Sequence, residues 1–152
     1  MWWDDAGHEN GASTRALAFS TDGGISFTDG DVDAFPNNPG TDTQGAMVYS
    51  DGRFFVSSPW GKAHFPRRNF TILVSEAVGG RPSNWRPLVG AAPLWSGASE
   101  YSTLMPGVED GTLWTIYERS ATLDSKNGNE VLRITLLNVS NIYISSIAEV
   151  SS

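Results

Sequence analysis

The stretch STDGGISF, residues 20–27, sets a serine, an aspartate, two glycines, a second serine and a phenylalanine in one short run. Within a turn, Asp22 and the hydroxyls of Ser20 and Ser26 can exchange hydrogen bonds, and Gly24 can take backbone angles that other residues resist. Phe27 is expected to pack beneath such a loop. The same Asp-Gly pair recurs in MVYSDGRFFV at Asp51 and in PGVEDGTLWTIY at Asp110. Between apolar runs, Asp-Gly marks a tight hairpin because both residues tolerate positive φ.

Outward from these turns the chain reads as all-β. Short runs such as RALAFS, GAMVYS, RFFVSS, NFTILVS, TLWTIYE and VLRITLLNV lie between scattered glycines and prolines, and no long segment keeps the spacing of an amphipathic helix. SNIYISSIAEV, at the C-terminal end, fits either a strand or a tail. The spacing from Asp51 to Asp110 suits one four-stranded propeller blade better than one strand of a sandwich. It divides the chain into blade-sized modules over 44–85 and 101–140, preceded by an outer hairpin. Residues 1–145 are thus expected as part of a propeller domain and 146–152 as a tail.

Ser20, Asp22, Gly24, Ser26 and Phe27 match the Asp-box pattern S-x-D-x-G-x-[ST]-[WF] at every specified position. SEAVGGRPSNW, from Ser75 to Trp85, looks like a degenerate second copy. Asp boxes occur in sialidases, in other glycan hydrolases and in non-enzymatic propellers, so the box speaks for architecture more than for activity.

A second stretch is more specific. YSTLMPGVEDGTLWTIYE, from Tyr101 to Glu118, resembles the sialidase (exo-α-neuraminidase) segment that opens on Y-S-[ST]-L and ends near L-Y-E. TQGAMVYSDGRFFVSSP and PRRNFTILVSE are similar to the family's runs upstream of it, and RALAFSTDGGISF and VLRITLLNV extend the likeness on either side. The resemblance implies a six-bladed β-propeller, of which this chain supplies roughly the last two to three blades. It also implies a retaining exo-α-sialidase that releases terminal sialic acid from glycoproteins, glycolipids or oligosaccharides.

By the same resemblance Tyr101 is the nucleophile, Arg67 clamps the substrate carboxylate, and Glu118 orients an arginine of the clamp. The chemistry is coherent. A carboxylate-bearing anomeric carbon repels an anionic nucleophile, whereas a neutral phenol can approach if a base takes its proton. A guanidinium fork binds carboxylate bidentately and stays charged. Strand alternation places Arg67 and Arg68 on opposite faces, and it turns Glu100 away from the site beside Tyr101. Glu109 and Asp110 fall in a solvated turn, and Arg15 reads as a framework position.

The resemblance does not reach the family's acid/base aspartate, the glutamate that activates the tyrosine, or the other two arginines. The second arginine is expected near Trp2-Trp3-Asp4-Asp5, where none stands. Alone, the chain is expected to turn over little or no sialoside. It is expected to need further blades from a longer parent or another subunit.

The bulk composition narrows the partners. A formal charge of −7 with ten lysines and arginines disfavours nucleic acid and anionic membrane surfaces, both of which need a basic face. Without cysteine there is no thiolate catalysis and no cysteine-based zinc site. His8 and His64 lack metal-ligand spacing. Neither a metal nor an organic cofactor is implied, since arginines supply the positive charge. No apolar window is long enough to span a bilayer, MWWDDAGHEN lacks a signal-peptide pattern, and a soluble chain is expected. The compartment stays open. The triplets at Asn69 and Asn138 fit the glycosylation pattern but carry little weight. The alternative to an enzyme is a non-catalytic Asp-box module that binds glycan or protein through its tryptophans and tyrosines.

Overall fold

The computed structural model describes residues 2–4, 14–31, 35, 44–60, 67–88, 93–120, 131–139 and 143–150. The chain divides into two compact units, Met1–Asp42 with Gly61–Phe65 and Thr43–Trp60 with Pro66–Ser152. All regular structure among the described residues is antiparallel strand, as the β-rich runs require.

In the first unit, β1 (Trp2–Asp4) pairs with β2 (Thr14–Ala16), and Leu17 and Asp31 exchange backbone hydrogen bonds of 3.0 and 2.8 Å at the base of the STDGGISF loop. Arg15 on β2 is buried at 2% exposure, and desolvation lowers its pKa to about 10, so the guanidinium stays charged near neutrality.

The second unit is built from two antiparallel meanders of four strands. The first runs β3 (Ala46–Ser50), β4 (Arg53–Pro59), β5 (Arg68–Val78) and β6 (Arg81–Pro87). The second runs β7 (Trp95–Pro106), β8 (Thr112–Ser120), β9 (Val131–Asn138) and β10 (Tyr143–Val150). The first lies within two residues of the expected 44–85 module, whereas the second starts earlier and ends later than the expected 101–140. Residues 146–150 are not a tail: they continue β10, paired with β9 through Val150↔Leu132.

Hydrogen bonding joins the meanders into one eight-stranded sheet, through β5. Its C-terminal half pairs with β6, while its start pairs with β7 at Arg68↔Ala98 and Phe70↔Trp95. The sheet is open, with β3 and β10 at the ends of its strand order.

Alternation along the strands supplies the core. Phe55, Phe70, Ile72 and Val74 of the first meander cluster with Leu104, Leu113, Tyr117 and Leu137 of the second, and the Phe70 and Tyr117 rings stack at 4.1 Å. Burying each such side chain stabilises the unit by about 1.5–3 kcal/mol. Two polar ties cross the same interface. Ser57 Oγ and Ser102 Oγ lie 2.9 Å apart, both buried, and the Arg53 guanidinium donates to the Val139 carbonyl at 3.0 Å.

The three Asp-Gly turns differ. Asp51 and Gly52 both have positive φ, 52° and 73°, as a two-residue hairpin between Ser50 and Arg53 demands. At Asp110-Gly111 only the glycine does, in a wider turn closed by Thr112 N–H donating to the Glu109 carbonyl. At Asp22 the positive angles belong to Gly23 and Gly24, and the aspartate serves as a hydrogen-bond acceptor. The degenerate copy at Ser75–Trp85 is the β5–β6 hairpin, which turns on Gly79-Gly80. Its Ser75 hydroxyl bonds across the hairpin to the backbone of Ser83.

Candidate functional site

The Asp box closes on its own polar atoms. Asp22 Oδ1 accepts the N–H groups of Ile25 at 3.1 Å and Ser26 at 2.9 Å, and Oδ2 accepts the Ser26 hydroxyl at 2.6 Å. The Ser20 hydroxyl donates to Asp22 and accepts the Gly24 N–H, both at 2.7 Å. These bonds, the Ser26 hydroxyl foremost, then the Ser26 N–H and the Ser20 hydroxyl, hold the Asp22 carboxyl well below the usual carboxylate range. Phe27 does not pack beneath the loop: it is 62% exposed. The turn's hydrogen bonds fix its backbone but do not supply apolar surface for the ring to cover.

The other expected residues meet at one end of the second unit. Arg67 lies just before β5, where its carbonyl accepts the Ser99 N–H from β7 at 3.0 Å. Its Nη1 donates to Glu100 Oε2 at 3.0 Å, and the two side chains are 13% and 18% exposed. Arg68 beside it is exposed, as alternation requires.

Glu100 departs from expectation. Between β7 and β8 the register runs Ser99↔Arg119 and then Ser102↔Tyr117, so Glu100 and Tyr101 together face the single residue Glu118. Such a bulge breaks strict alternation and turns residues that would otherwise point apart toward the same region. Glu100 therefore reaches the Arg67 guanidinium instead of turning away. Glu118 accepts the Tyr101 N–H at a long 3.4 Å, which braces the backbone that carries the phenol.

The two tyrosines at this end have opposite surroundings. Tyr101 is 47% exposed and open to a ligand, whereas Tyr117 is 4% exposed beneath Phe70. Burial raises the Tyr117 pKa, against the pull of Arg133 and Arg119, so this phenol stays neutral and belongs to the core. Arg119 lies over the Trp95 ring at 4.5 Å, and Trp95 donates its indole N–H to the Ala98 carbonyl at 3.1 Å.

Glu100, Arg119 and Trp95 are the members that sequence reasoning missed. A bulge carries no residue signature here, and the Arg119–Trp95 contact depends on how β5, β7 and β8 meet. His8 and His64 lie outside the described residues, and among the described residues no cluster of three or more metal-ligating side chains occurs. Nor, among them, is any helix long and apolar enough to cross a membrane. Thr71, in the triplet that begins at Asn69, is buried and donates its hydroxyl to the Asn69 carbonyl, a poor setting for glycosylation. Comparison of the chain with protein-family models, curated proteins and solved structures gives no significant match.

Proposed function

We propose that this chain is the C-terminal part of a six-bladed sialidase propeller, whose assembled form releases terminal sialic acid from glycoconjugates through a tyrosyl intermediate. One observation carries the reading. Arg67, Glu100, Tyr101 and Glu118 form a run of adjacent groups, in which Glu100 holds a cationic fork and Glu118 holds the backbone that carries an exposed phenol. In this reading Arg67 takes the substrate carboxylate, Tyr101 attacks the anomeric carbon, and Glu118 holds the backbone of Tyr101.

The two four-stranded meanders suit successive blades. Met47 and Tyr49 on β3, Met105 on β7 and Leu132 on β9 are 44–57% exposed, apolar surface that further blades would cover. The groups that would take the proton from the phenol belong to those blades.

The test is hydrolysis of a fluorogenic sialoside by the assembled propeller. Tyr101→Phe is expected to lower turnover by at least about a thousandfold, because the covalent step loses its nucleophile. Turnover that survives this change sinks the reading. The exposed Phe27 and Tyr49 rings favour the second reading, a glycan-binding or protein-binding module. That reading calls for ligand binding that survives Arg67→Ala and Tyr101→Phe alike.

A further inference from the structure

We propose that Glu100 is a positioning residue for Arg67, holding the carboxylate clamp in register with the Tyr101 phenol. The inference rests on the sialoside reading above and adds to it the residue that aims the clamp. Glu118 is assigned an arginine-orienting role by resemblance and accepts the Tyr101 N–H, and Glu100 accepts directly from the Arg67 guanidinium.

The physical case has three parts. Arg67 and Glu100 are largely withdrawn from water, so their ion pair is less screened than one on the open surface, and losing one partner would leave a poorly solvated charge. A guanidinium held through Nη1 at 3.0 Å is restrained, and its remaining N–H groups are left to meet a ligand carboxylate from a narrower range of directions. Finally, Glu100 and Tyr101 are the two consecutive residues of one bulge. Clamp and phenol are therefore set relative to each other through a single short piece of backbone, the precision that a preorganised site requires.

The experiment uses the assembled propeller that contains this chain, with N-acetylneuraminic acid as probe and titration followed by NMR. Glu100→Gln keeps the size of the side chain and removes its charge. It is expected to weaken binding on the order of tenfold, to lower the midpoint of thermal unfolding because the Arg67 charge is left without this partner, and to shift and broaden the Arg67 Nε–H resonance in the ligand-free protein. Glu100→Asp is expected to recover part of the affinity. Affinity and the Arg67 resonance both unchanged in Glu100→Gln would overturn the proposal while leaving the sialoside reading intact, provided Arg67→Ala abolishes binding. If Arg67→Ala binds as well as the unaltered propeller, or if the unaltered propeller does not bind, the sialoside reading fails and the proposal with it.

Discussion

The Asp-box loop and the Arg67–Glu118 end of the sheet are both polar constellations, yet they are assembled in opposite ways. Within the box every bond joins residues at most four positions apart, and an exposed segment closes without help from the core. At the other site the bonds span 33 residues from Arg67 to Glu100 and 17 from Tyr101 to Glu118. They exist only because β5, β7 and β8 are already in register. A locally closed motif should tolerate damage to the core, and a non-locally assembled one should not.

The sharpest way to break the comparison is to remove the packing beneath the second site. Phe70→Ala deletes a fully buried ring that stacks on Tyr117 and should cost about 3–5 kcal/mol, read from denaturant unfolding. The Arg67–Glu100 contact should disappear with it, while the Ser26 amide of the box keeps its chemical shift. Loss of both together would mean that the box depends on the core after all.

Smaller effects refine the contrast. Ser57→Ala or Ser102→Ala leaves one buried hydroxyl without its partner and should cost about 1–3 kcal/mol, with the double variant costing less than the sum. At Gly52, where φ is +73°, Gly52→Ala should cost about 1 kcal/mol through backbone strain alone, since an added Cβ would meet no atom within 4 Å. Additivity in the serine pair, or no cost at Gly52, would argue against these assignments.

The smallest global effect is expected from Asp22. Its folded pKa is depressed, so its contribution is present above the ordinary aspartate value of about 3.9 and is lost as pH falls through the lower folded value. Slowed exchange at the Ser26 amide should therefore persist below about pH 4 and vanish only in stronger acid. Asp22→Asn should abolish that protection with little change in the unfolding midpoint of the second unit. Loss of protection near pH 4 would show that the three shortest bonds to this carboxylate do not hold in solution.

Much of the fold was legible because its determinants are local. The Asp51-Gly52 hairpin followed from the positive φ that a two-residue turn demands, and most of the strands fall on the β-rich runs broken by glycine. The exposed Phe27 was not legible. Whether a ring packs depends on what lies beneath it, and the motif specifies only its own hydrogen bonds. Strand against tail at SNIYISSIAEV was settled by pairing with β9, a partner that no local pattern names.

By itself the sequence determined an all-β chain and a hydrogen-bonded turn at Asp22, and singled out Arg67, Tyr101 and Glu118 by resemblance. Tertiary structure alone decided how they meet. The β7 bulge overrides alternation, brings Glu100 to Arg67 and leaves Glu118 against the Tyr101 backbone. The reason is physical. Alternation is a property of one strand, whereas a bulge is set by the register between two, and register is chosen by the packing of the whole sheet.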